Sequence, residues 1–164
     1  MPQSPTPRLA FLPLLENNSP QATAWVRGGA SAPNLSGLVK FYDAPYGGVL
    51  IEAEIFGLPN KNVPDSTTFY AMHIHQEGDC SDNFTKTGNH YNPTMQPHPN
   101  HEGDLLPLFG NSGYAWGAFF DRRFRLQDII GRSVVIHAKP DDFTTQPSGD
   151  SGAKIACGVI VETE

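Results

Sequence analysis

The apolar residues of this chain come in short runs, and glycine or proline stands between most of them. "TAWVRG" (23–28), "SGLVKFYD" (36–43), "VLIEAEIFG" (49–57), "TTFYAMHIH" (67–75), "YAWGAFF" (114–120), "SVVIH" (133–137) and "KIACGVIV" (154–161) are β-branched, aromatic or partly alternating, the pattern of half-buried strands. "PYGG" (45–48) is a turn that makes a hairpin of 37–43 and 49–56. No helical stripe is evident. With 16 Gly and 15 Pro among 164 residues, and 38% hydrophobic against 17% charged, the chain is neither a helical bundle nor disordered. Many short strands with such punctuation predict an all-β sandwich or barrel.

The length suits one domain with a real core, predicted over residues 22–164. Residues 1–21 are rich in Pro and Asn and read as a mobile arm. No apolar run is long enough to span a membrane. The N-terminus has no basic segment ahead of an apolar one, which predicts a cytoplasmic protein, or an extracytoplasmic one if a leader has been removed. Asn17, Asn34 and Asn83 begin N-x-S/T triplets that carry no meaning without secretion. The net charge of −6 excludes a global basic field for nucleic acid. Arg122, Arg123 and Arg125 form a basic cluster and read as a solvated loop face.

The chemistry lies in two long stretches without periodicity, 76–113 and 138–153. Long irregular segments in a compact domain are usually functional. All six histidines fall after residue 72, and five of them crowd into 73–101. In a strand, i and i+2 share a face, so His73 and His75 can reach one ion. His98, His101 and Asp104 sit in "PHPNHEGDL", a Gly/Pro loop able to wrap around an ion, and His90 lies between the two groups. His137 ends "VVIH". Imidazole suits zinc and copper alike, whereas a carboxylate suits zinc better than Cu(I). Two four-coordinate ions need eight ligand places, and His73, His75, His90, His98, His101, His137 and Asp104 are seven. The count closes if one imidazole serves both ions, one nitrogen each.

"HIHQEGDC", "GNHYNP", "HEGDL", "IIGRSVVIHAKPDD" and "GDSGAKIACGVI", in this order over residues 36–162, resemble the copper/zinc superoxide dismutase family. The bacterial branch is the more similar, since Cys80 directly follows Gly-Asp. The resemblance implies a Greek-key barrel of eight antiparallel β-strands with two long functional loops. It implies one copper per subunit, on His73, His75, His90 and His137, and one zinc, on His90, His98, His101 and Asp104. His90 would be the bridge. By the same resemblance Asp141 accepts the free N–H of one copper and one zinc histidine, and Cys80 pairs with Cys157. That disulfide would contribute roughly 4–5 kcal/mol by restricting the unfolded chain. It does not fix the compartment, because cytosolic members of the family have it too. The implied activity is dismutation of superoxide to O2 and H2O2, without a nucleic-acid or membrane partner. A homodimer is compatible with the family, though no barrel face is singled out.

The chain departs from the family in three places. Lys154 in "GDSGAKIAC" (149–157) stands where the family has the arginine that guides the anionic substrate. The charge is kept and the planar fork of donors lost, so activity is expected to be retained but reduced, with Lys154 and His90 the residues acting on substrate. The segment from Asp142 to Lys154 is shorter than in eukaryotic members. Ala71-Met72 replaces a common Gly-Phe. Two alternatives compete with the dismutase. One is a metal carrier or scavenger on the same fold without turnover. The other is a zinc-only hydrolase, which needs an open zinc position beside a general base.

Overall fold

The computed structural model describes residues 10–59 and 68–164. Its strands are β1 (Ala22–Gly28), β2 (Ser36–Asp43), β3 (Val49–Phe56), β4 (Phe69–Tyr70), β5 (Met72–His75), β6 (Leu108–Phe109), β7 (Ala115–Asp121), β8 (Ser133–His137) and β9 (Lys154–Glu162). Seven form one antiparallel sheet in the order β5-β8-β9-β1-β2-β3-β7, and β4 pairs with β6. β4 and β5 are one run interrupted at Ala71, which instead exchanges backbone hydrogen bonds with His137 and Lys139. Counted as one strand, they bring the total to the expected eight. β6 pairs with β4 and lies against β7, so the curled sheet comes round to form a barrel. The connections from β3 to β4 and from β7 to β8 join strands that are not neighbours, as a Greek key requires.

Side-chain alternation explains the curl. Along β1, Ala22, Ala24 and Val26 are buried while Trp25 and Arg27 point outward. Val39, Phe41, Ile51, Ile55, Ile74 and Ile160 meet them inside. Each such side chain stabilises the fold by about 1.5–3 kcal/mol on burial. Ala71 and Met72, the departures before His73, are both in the core.

Two short α-helices among the described residues were not legible as stripes. Of the segment read as an arm, residues 1–9 lie outside the described residues. Within the remainder, α1 (Leu12–Asn17) forms with Pro at its start. Phe11 packs edge-on against Tyr46 and tilted against Phe120, at 6.1 and 4.9 Å between ring centres. The second helix, α2 (Leu126–Ile129), buries Leu126 and Ile129.

β5 is an edge strand of the large sheet, and its free edge is covered by the irregular segment that follows it. Ile74 N–H donates to Gly103 O, Tyr91 N–H to Ile74 O, and Gly103 N–H to Tyr91 O, all at 2.8 Å. A Cβ on Gly103 would stand 2.3 Å from Ile74 O, so only glycine allows this approach. The stitching sets His73 opposite Asp104 and His75 opposite His90. It brings donors distant in sequence to one end of one strand.

Candidate metal centre

Two groups of donors result, each with ligand atoms within 4.8 Å of one another: His73, His75, His90 and His137, and His90, His98, His101 and Asp104. All seven residues are buried, and His90 belongs to both groups.

Backbone and carboxylate acceptors fix which ring nitrogen of His73, His75, His98 and His137 is free. His75 Nδ1–H donates to Gly88 O at 2.9 Å and His137 Nδ1–H to Gly152 O at 3.2 Å. Their Nε2 lone pairs then face each other at 3.2 Å. Two acceptors at that distance repel unless a cation lies between them. Asp141 takes Nε2–H of His73 on one oxygen and Nε2–H of His98 on the other, each at 2.8 Å. This leaves Nδ1 of both rings buried without a hydrogen-bond partner among the described residues. His98 Nδ1 faces Asp104 Oδ2 at 3.1 Å, again acceptor against acceptor. His90 Nδ1 is 2.8 Å from Asp104 Oδ1 and 3.4 Å from His101 Nδ1, while its buried Nε2 has no partner among the described residues. Paired acceptors and orphaned imidazole nitrogens are what metal ions require, so the donor set fits copper and zinc.

The charges agree. Burial pushes the imidazoles of His73, His137 and His75 down to about 4, 3 and 2, which keeps them neutral and able to bind metal. Burial alone would raise the Asp141 carboxyl, but the hydrogen bonds from His73, His98 and the Phe143 amide outweigh it and hold it at about 2. Asp104 is likewise held low, against its burial, by His90 and the neighbouring imidazoles. Gly149 has φ +70, and a Cβ there would stand 2.0 Å from Asp141 Oδ1. Its bare backbone thus makes room for the carboxylate link between the two groups.

Lys154 lines a cavity of about 470 Å3 together with His75, His90 and His137. Its ammonium, however, points at the loop after β5. Nζ donates to Thr87 Oγ1 at 2.8 Å, Gly88 O at 3.0 Å and Phe84 O at 3.4 Å. Gly88 O is also the acceptor that orients His75. The same loop is tied to β9 by the Cys80–Cys157 disulfide, so one strand holds it covalently and through Lys154. A partly buried Gln146 contact joins the two irregular segments: it accepts from His98 N–H and donates to His98 O.

The sequence model described as Copper/zinc superoxide dismutase (SODC) matches residues 35–160. The chain belongs to the copper/zinc superoxide dismutase family. Among its relatives, the chain is 35% identical over 157 residues to Superoxide dismutase [Cu-Zn] of Caulobacter vibrioides, covering 85% of this chain and 84% of that one. It is 32% identical to Superoxide dismutase [Cu-Zn] A of Xenopus laevis, over 80% of this chain and 92% of the other. It is 34% identical to human Extracellular superoxide dismutase [Cu-Zn], covering 80% of this chain but 58% of that longer protein. A crystal structure of the clock protein EA4 superposes with a TM-score of 0.74 at 30% identity, over 88% of this chain and 96% of that one. The family's cofactors are one copper and one zinc per subunit, and the two donor groups suit them. Relatives include bacterial and extracellular forms, and no helix among the described residues is long and apolar enough to cross a membrane.

Sequence reasoning missed three participants in the centre. The backbone carbonyls of Gly88 and Gly152, which set the ring tautomers, have no sequence signature. Arg123, read as part of a solvated face, keeps 38% of its side chain exposed, yet its guanidinium pairs with buried Asp121. Nothing in "DRRFR" marks it apart from its neighbours.

Proposed function

We propose that the protein is a superoxide dismutase with copper held by His73, His75, His90 and His137, and zinc by His90, His98, His101 and Asp104. The observation that carries this reading is the membership of His90 in both donor groups, with Nδ1 toward Asp104 and a buried, unpartnered Nε2. A copper ion held there would supply one-electron redox chemistry, accepting an electron from one superoxide to give O2 and returning it to a second, which leaves with two protons as H2O2. The residues supply the rest. His90 Nε2 is placed to hold a proton next to the substrate cavity. Asp141 keeps His73 and His98 in the tautomer that binds metal through Nδ1. Lys154 gives the acidic protein a positive charge beside the cavity, and through Gly88 O it also steadies His75.

The carrier reading draws support from Lys154, whose N–H groups are directed at the loop rather than at the cavity. A zinc-only hydrolase fits poorly, because the zinc group has four protein donors and leaves no open position. The deciding experiment is metal analysis followed by superoxide decay after loading with both metals. A dismutase takes up both metals near stoichiometry and accelerates the decay. Full uptake of both metals with decay no faster than in buffer would refute the dismutase and establish the carrier.

A further inference from the structure

The three arginines after β7 have different fates. Arg125 is exposed and pairs with Asp128 at 3.2 Å. Arg122 lies over the Phe120 ring, 5.5 Å from its centre. Arg123 stays at the surface with 38% of its side chain exposed, and its guanidinium divides its donors between two partners. On one side, Nε donates to both oxygens of Asp121 at 3.1 Å and Nη2 to Oδ2 at 2.6 Å. Asp121 is buried at the end of β7 and paired with Val49 of β3, so this side is fixed to the barrel. On the other side, Nη1 donates to His101 O at 2.9 Å and reaches Pro99 O at 3.5 Å, and Nη2 donates to Asp104 O. These carbonyls belong to the stretch carrying His98, His101 and Asp104.

We propose that Arg123 is a positioning residue for the His98, His101 and Asp104 side of the metal centre, fixing those donors to β7 before an ion arrives. The proposal rests on the metal-centre reading above. A Gly/Pro loop that must bring three donors together on binding loses backbone freedom at that moment. A clamp that orders it during folding removes this cost from binding. The task needs a guanidinium, whose planar fork offers five N–H donors in fixed directions, while a lysine has three on a flexible stem. The proposal also has a sign. If Arg123 mattered only as a charge, removing it would strengthen binding of a dication. Positioning requires the opposite.

The test uses the full chain, Arg123→Lys, and the double variant Arg123→Met with Asp121→Asn, which avoids an unpaired buried carboxylate. Metal-free protein is titrated with Zn2+ against a chelator, and with Co2+ read by its visible bands. Both variants are expected to lose about 10–100-fold in zinc affinity and much of the tetrahedral Co2+ intensity. The amides of His101 and Asp104 exchange faster in the metal-free variants, while copper affinity of the zinc-loaded protein changes by no more than about twofold. Arg123→Lys, which keeps the charge and can still meet Asp121, decides the matter if the double variant does not fold. Zinc affinity within about twofold of the parent in Arg123→Lys, or a rise in it, overturns the proposal. Failure of the underlying reading looks different: a parent protein that takes up no zinc and gives no tetrahedral Co2+ spectrum refutes the centre and the role of Arg123 together.

Discussion

An ammonium group has three N–H donors, and those of Lys154 are directed to Thr87, Gly88 and Phe84. A guanidinium at this position could keep the grip on two carbonyls and still offer donors to an anion in the cavity. Lys154→Arg is therefore expected to raise kcat/KM for superoxide several-fold, up to roughly tenfold. Stopped-flow decay checks this, and a fall in rate would refute a steering role at this position. The histidines were legible as a set because their number and crowding left no other economical use for them. The role of Lys154 was legible only in part. Its charge is visible in the sequence, but its direction depends on Gly88 O, brought close by a disulfide between residues 77 positions apart.

At the scale of elements, β5 organises the centre because its free edge is stitched to Tyr91 and Gly103 rather than to another strand. The approach tolerates no side chain at position 103. Gly103→Ala is expected to cost about 1–3 kcal/mol through overpacking, lowering Tm by roughly 2–4 °C for each kcal/mol. Zinc affinity should fall with it, because Asp104 is the next residue. Calorimetry and chelator competition on one preparation measure both, and lost stability with unchanged zinc affinity would uncouple the edge from the centre. The strands were readable from alternation and punctuation. The break at Ala71 and helix α1 were not. The break comes where Ala71 bonds to His137 and Lys139, at and just beyond the end of the neighbouring strand β8, and α1 spans only six residues, too few to establish a helical period.

For the whole molecule, metal-free protein carries buried neutral imidazoles whose affinity for protons is lower folded than unfolded. An unfolded histidine takes its proton near pH 6.5, whereas burial delays His73, His137 and His75 to about 4, 3 and 2. Below pH 6.5 the unfolded chain therefore binds more protons, and stability falls as the pH falls. The Tm of metal-free protein should decline steadily from pH 6.5 toward pH 4, and a flat profile over that range would show that these rings are not held neutral. The sharing of His90 between the two donor groups has a further consequence. If each ion takes one nitrogen of that ring, the ions are thermodynamically linked, and the factor by which bound zinc changes copper affinity equals the factor by which bound copper changes zinc affinity. Titrating each metal in the presence and absence of the other measures that factor twice. Such a ring makes occupancy at one ion a reporter of occupancy at the other, so that the order in which the metals are supplied alters the route to the loaded protein but not its final balance.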